Sequence, residues 1–289
     1  MKSGFVSITG RPNVGKSTFL NAVLGQKVSI VTSKPQTTRN RILGIKTLEE
    51  AQIIFIDTPG IHKPKHMLGS MMVKEARQAI REVDLVLYMV EPAAPSHADF
   101  IIVSMLKKAD KPVILLINKA DTVKKPALLP VIDAYSKLYS FDEVVPISAR
   151  KGDGLDIVLD KIKERLPEGP KYYPDDLVTD RLERFMVSEI IREKIMKETE
   201  EEVPHSVAVE VLEWTEGAIV HIGANIYVEK ESQKGIIIGK SGGRLKAIGS
   251  AARADIERLL GTKIYLELWV KVRSGWRRSR AALSELGFE

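Results

Sequence analysis

Gly10-Arg11-Pro12-Asn13-Val14-Gly15-Lys16-Ser17 lies between the apolar run Phe5-Val6-Ser7-Ile8-Thr9 and a helical pattern from Ser17 to Leu24, and it restricts the fold more than any other stretch. The spacing is G-x-x-x-x-G-K-[ST], which works only where a strand enters a tight loop that opens a helix. Gly10 and Gly15 let the backbone turn so that successive N–H groups and the positive end of the helix dipole converge on an anion. Lys16 is placed for terminal phosphates, and the Ser17 hydroxyl, with Thr18 following in the same turn, for a magnesium ion.

Two more stretches follow in a fixed order. The strand pattern Ala51-Gln52-Ile53-Ile54-Phe55-Ile56 delivers Asp57-Thr58-Pro59-Gly60 to the same sheet edge. A carboxylate there can hold Mg²⁺, and the Gly60 amide can meet a γ-phosphate and lose it on hydrolysis. The polar, turn-rich run from Ile61 to Ser70 then reads as a loop that reports the phosphate state. After Pro112-Val113-Ile114-Leu115-Leu116-Ile117 comes Asn118-Lys119-Ala120-Asp121. The Asp121 carboxylate suits the two N–H groups on one edge of guanine, Asn118 meets the purine and braces the loop, and adenine would leave the carboxylate unpaired. Ser148-Ala149-Arg150 ends a later strand, and its backbone N–H groups are candidates for guanine O6.

Alternating strand and helix patterns from Phe5 to about Leu166 predict an α/β nucleotide-binding domain with a mainly parallel sheet, spanning residues 1–168. Three prolines and a glycine in 167–176 mark a connection between domains, and 169–178 is read as the linker. Residues 179–289 form a second, α+β domain. It opens on an amphipathic helix over about Thr179 to Glu200, with Leu182, Phe185, Met186, Ile190 and Ile191 on one face. Strands Ser206–Trp214 and Ala218–Val228 follow, then two helices and a last strand, Lys263–Val272.

Charge separates the halves. Residues 230–289 carry 13 Lys/Arg against 6 Asp/Glu, so their surplus exceeds the +6 of the whole 289-residue chain and marks this end for a polyanion. No apolar run reaches the roughly 18 residues of a membrane span, the first residues enter a strand without a leader pattern, and there are no cysteines. A cytoplasmic protein is expected. The five histidines show no paired ligand spacing, which argues against zinc.

The order α-β-β-α-α-β with Gly239-Lys240-Ser241-Gly242 between two helices resembles the prokaryotic (type II) KH domain, whose G-x-x-G loop clamps the backbone of about four nucleotides. Lys240 supplies charge to that loop, Gly243, Arg244 and Lys246 follow it, and Ile236-Ile237-Ile238 is the expected apolar wall against bases. Beyond the last strand, Lys271, Arg273, Arg277 and Arg278 interleave with Trp276, as suits a single strand with a base on the ring; charge on a helix surface and a packed tryptophan give the same pattern.

Taken whole, from Lys2 to the C-terminus, the chain resembles the Era family of bacterial GTPases. The resemblance implies a P-loop GTPase domain before a KH domain, with GTP/GDP and Mg²⁺ as ligands. It also implies binding to 16S ribosomal RNA near its 3′ end, association with the 30S subunit, and peripheral association with the cytoplasmic face of the membrane. No obligate oligomer is expected. The family's first switch segment matches Pro35-Gln36-Thr37-Thr38-Arg39-Asn40, with Thr38 taken as the Mg²⁺ ligand beside Ser17 and Asp57, and Thr37 as the adjacent alternative. Ile61 stands where Ras-like proteins carry the glutamine that orients water, so unassisted turnover should be slow. Asn13 resembles a residue by which some relatives bind K⁺, so Asn13, Lys16, Thr38 and Gly60 are the residues expected to serve hydrolysis. The alternative is a regulatory switch at the membrane surface, its basic end on anionic lipid.

Overall fold

The computed structural model describes every residue except Lys65, which belongs to the expected reporter loop, and the terminal Glu289 of the second predicted domain; both lie outside the described residues. Two compact units are present. The first comprises residues 1–29, 38–65 and 69–180, and the second residues 30–37, 66–68 and 181–289.

The first unit is built on six strands: β1 (Lys2–Gly10), β2 (Ile42–Thr47), β3 (Ala51–Asp57), β4 (Leu85–Val90), β5 (Val113–Ile117) and β6 (Glu143–Pro146). Their order is β2-β3-β1-β4-β5-β6, parallel throughout except for β2, which returns antiparallel along β3. The helices are α1 (Lys16–Leu24), α2 (Met67–Glu82), α3 (His97–Ala109), α4 (Leu128–Ser136) and α5 (Leu155–Arg165). Strands β3, β4 and β5 are buried at every position, which is why their sequences read as unbroken apolar runs rather than alternating ones. β3 and β4 flank β1 on opposite sides, so the sheet reverses its order there and opens a crevice at the carboxyl ends of those strands. The loops bearing Gly10–Ser17, Asp57–Gly60 and Asn118–Asp121 all leave from that edge.

The stretch expected to be a linker is laid along the first unit. The Gly169 N–H donates to the Met1 carbonyl at 3.1 Å and the Ile45 N–H to the Val178 carbonyl at 2.8 Å. Gln52 accepts from the N–H groups of Tyr172 and Tyr173 at 2.8 and 3.0 Å. The change of unit falls at Asp180/Arg181.

The second unit contains α6 (Glu183–Glu198), the four-residue α7 (Val203–Ser206), β7 (Ala208–Thr215), β8 (Val220–Val228), α8 (Glu231–Ile238), α9 (Gly243–Leu260), β9 (Ile264–Val272) and α10 (Arg280–Glu285). β8 is central, antiparallel to β7 and parallel to β9. In α9, Ile248, Ala252 and Ile256 recur four residues apart and are buried with Ile190, Ile191 and Ile195 of α6 against Ile222, Ala224 and Ile226 of β8. Leu182 departs from the expected apolar face. It precedes the first helical residue in extended conformation and is 77% exposed.

Candidate functional site

The loop from Gly10 ends at Gly15, which caps α1 with φ 104°, a left-handed conformation that glycine adopts without strain. A Cβ at Gly15 would fall 2.2 Å from Asn118 Nδ2, so the base-reading loop closes directly onto the phosphate-binding one. Asn118 is the brace: its Nδ2 donates to the Val14 carbonyl at 2.7 Å, and its Oδ1 accepts the Ala149 N–H at 2.9 Å. Lys119 adds a second tie, donating to the Asn13 carbonyl at 3.0 Å and pairing with Glu91. Arg11 is anchored from behind through Nε, 3.3 Å from the buried Asp99, which also accepts the Tyr88 hydroxyl at 2.7 Å.

Lys16 is buried and donates to the carbonyls of Arg11 (3.0 Å) and Gly10 (3.4 Å), which hold its ammonium beneath the loop. Burial lowers its pKa from 10.5 to about 8, against the opposing pull of Asp57. Burial likewise raises the Asp57 carboxyl, while Lys16 and the Ser17, Ser29 and Thr38 hydroxyls draw it back.

Asp57 Oδ2 accepts from Ser17 Oγ at 2.6 Å and Ser29 Oγ at 3.0 Å, with Thr38 Oγ1 at 3.5 Å and 2.9 Å from Ser17 Oγ. Asp57 Oδ1 is buried and has no hydrogen-bond partner among the described residues. Three hydroxyls around one carboxylate with an oxygen to spare form an all-oxygen donor set, the kind a magnesium ion takes. Thr37 turns elsewhere: its hydroxyl bonds to Thr32 Oγ1 and the Lys34 carbonyl, both at 2.7 Å. Of the two threonines, Thr38 is the one whose hydroxyl lies with Ser17 and Asp57. The segment Ile30–Thr37 clusters with the second unit, where the buried Arg192 donates to the Thr37 carbonyl and the buried Glu193 accepts the Val31 N–H at 3.1 Å.

At the base end, the Asp121 carboxylate is held below its ordinary range, chiefly by the Ser148 hydroxyl and then by Lys151, whose ammonium is 3.4 Å away. It is therefore ionised and ready to accept two hydrogen bonds. The Ser148 N–H donates to the Asp153 carbonyl at 3.0 Å and the Ala149 N–H to Asn118 Oδ1 at 2.9 Å. Ile61 is 2% exposed and part of the core, while Thr58 donates to the Ile8 carbonyl at 2.8 Å, so neither side chain faces the phosphates.

In the second unit, Gly239-Lys240-Ser241-Gly242 joins α8 to α9, with Gly239, Ser241 and Gly242 all at positive φ. Beside it a cavity of about 390 Å³ runs between α9 and β9, lined by Leu245, Leu266 and Leu268 with Lys246, Arg253 and Tyr265 at its rim. Of the expected wall, Ile237 is fully buried and Ile238 packs partly buried against the core, while Ile236 is 39% exposed. Trp276 is also corrected, being fully buried, stacked near Phe288 and donating Nε1–H to the Ser206 carbonyl at 3.0 Å. No base can reach its ring. Arg277 pairs with Glu229 and Arg273 with Glu285, while Lys271 is exposed on β9.

The model of the 50S ribosome-binding GTPase family matches residues 5–119, and the KH domain model matches residues 202–277. The GTPase Era of Ruminiclostridium cellulolyticum is 53% identical over 291 residues, covering all of this chain and 98% of that one. This chain belongs to the Era family of GTPases. An Aquifex aeolicus Era variant bound to GDP and AlF4⁻ is 46% identical with a TM-score of 0.97, covering 100% of this chain and 99% of that one. A structure of Era with MgGDPNP and nucleotides 1506–1542 of 16S ribosomal RNA matches at 45% identity with the same TM-score and coverage.

This chain hydrolyses GTP. Ser29 escaped the sequence reading; it is held beside Asp57 by Asn21, which accepts the N–H groups of Val28 and Ser29 at 2.9 and 3.0 Å and donates to the Ser29 carbonyl at 2.7 Å. An Asn four residues after the phosphate-loop serine was the one available signal. His62, whose Nδ1–H donates to the Gly60 carbonyl at 2.9 Å, was also missed, as were Arg253, Tyr265, Leu266 and Leu268 of the groove.

The depressed Lys16 pKa carries a pH dependence. The unfolded lysine titrates near 10.5 and the folded one near 8, so keeping the buried ammonium charged costs stability below about pH 8. That cost is relieved as pH rises between the two values. Phosphate binding restores the charge, so GTP affinity should fall as pH rises past about 8 and binding should take up a proton above it. Calorimetry in buffers of different ionisation enthalpy checks this: uptake should approach one proton at about pH 9 and vanish at pH 7 or in Lys16→Met.

Proposed function

We propose that this GTPase binds the 3′ region of 16S ribosomal RNA through its KH domain and acts in assembly of the 30S subunit, with GTP setting when it holds and releases the RNA. The full-length likeness to Era bound to MgGDPNP and nucleotides 1506–1542 carries the proposal. The chain's own support is the Gly239–Gly242 loop beside a groove that is apolar at its base and basic at its rim. Mg²⁺, held by Ser17, Thr38 and Asp57, would offset the charge that develops on the phosphates. K⁺ near Asn13 is proposed as a further source of positive charge, replacing what a glutamine or arginine supplies elsewhere.

If nucleotide and RNA sites are coupled, RNA affinity differs between GTP and GDP forms, and RNA shifts nucleotide affinity by the same factor. The placement of Ile30–Thr37 with α6 supports such coupling, because ordering Thr38 on the metal site constrains residues that Arg192 and Glu193 hold.

The test is Lys240→Asp/Ser241→Asp, read with an oligonucleotide of the 16S 3′ end. Two carboxylates against phosphates should weaken binding by about 100-fold or more while GTP hydrolysis without RNA is unchanged. Unchanged RNA affinity would reject the KH assignment. Peripheral membrane binding, implied by the resemblance, has the charge surplus of residues 230–289 as its support in the chain, and Arg277 of that stretch is paired with Glu229 from outside it. Among the described residues no helix is long and apolar enough to cross a membrane.

A further inference from the structure

Helices α2 and α3 leave an open groove of about 390 Å³ that the nucleotide site does not use. Its floor is Ile80 and Met105, and its lip is Phe100 and Ile101, which are 50% and 38% exposed although adjacent on one helix. Arg77 and Arg81, one turn apart on α2, stand on one rim, and Lys108 stands on the other. No carboxylate lines the groove. Among the described residues none of the three cations has an ion-pair partner, whereas Arg11, Arg41, Lys119 and Arg165 of the same unit are all paired.

We propose that this groove docks an acidic amphipathic helix of a partner protein. Exposed apolar side chains in a concave site are stabilised by burial against another apolar surface, and a helix supplies one through anchors at i, i+3, i+4 and i+7. Three uncompensated cations flanking that floor require carboxylates on the two sides of the incoming helix. RNA fits less well, because aliphatic and thioether groups cannot pair with base edges and Ser104 is the only hydroxyl in the lining.

The probe is a synthetic peptide of about four helical turns with leucines at those spacings and glutamates on the flanks. Its controls are the same peptide with lysine for glutamate and a single-stranded oligonucleotide of equal charge. Fluorescence anisotropy with the full chain gives affinity, and methyl chemical shifts of Ile101 and Met105 report location. The acidic peptide is expected to saturate the protein and shift both methyl groups, with the lysine peptide about 10-fold weaker or worse. Arg77→Glu/Arg81→Glu, and separately Phe100→Ser, should each weaken it by about 10-fold or more with GTP hydrolysis unchanged. Equal binding to wild type and both variants, no saturable binding, or shifts at Ile101 and Met105 produced by the oligonucleotide instead of the peptide would each overturn the proposal.

Discussion

Asp121→Asn is expected to reduce GTP affinity by roughly 10⁴-fold and to raise affinity for xanthosine triphosphate. The carboxylate, kept ionised by Ser148 and Lys151, would accept from both N–H groups on the guanine edge. An asparagine amide turns one accepting oxygen into a donor, which then faces the exocyclic amine and leaves two donors opposed. Xanthine carries a carbonyl at that position, so the pairing is restored. Asn118 continues to brace Val14 and Ala149, so the loops keep their shape and the effect is confined to base choice. Competition binding and hydrolysis with the two triphosphates measure it. Unchanged kcat/KM for GTP would show that base recognition lies elsewhere.

Gly60→Ala is expected to leave GTP bound but to lower its hydrolysis by roughly 10²–10³-fold, the scale on which removal of one transition-state N–H donor acts. A Cβ on Gly60 would lie 2.7 Å from the Pro12 Cα and nitrogen, backbone atoms of the phosphate loop, so the backbone must shift. The loop must then draw back, taking its amide away from the γ-phosphate. His62 and Ile61 would move with it, since one donates to the Gly60 carbonyl and the other to that of Gly10 at 3.1 Å. Single-turnover hydrolysis separates the chemical step from nucleotide release. Wild-type single-turnover rates would remove the Gly60 amide from the mechanism.

The loops proposed to meet GTP were legible because phosphate recognition is a backbone property. A strand, two glycines and a helix start place N–H groups wherever they occur, so Gly10–Ser17, Asp57–Gly60 and Asn118–Asp121 carried their geometry in a few consecutive positions. The alternation of strand and helix patterns likewise followed from local periodicity. The sequence alone could not choose between Thr37 and Thr38, because neighbours in an irregular segment point in directions that only the surrounding contacts fix. It could not tell that Trp276 belongs to the core, since a tryptophan among arginines has the same composition whether its ring stacks on a base or packs beneath α10. Ile237 and Leu182 show the same limit: an apolar residue declares that it wants burial, and the packing of α6, α8 and α9 on the sheet decides which ones receive it. What the sequence determined was the chemistry available at each loop; what the tertiary structure decided was which N–H, hydroxyl or ring remained free to use it, because a hydrogen bond or a cavity is a relation between distant segments.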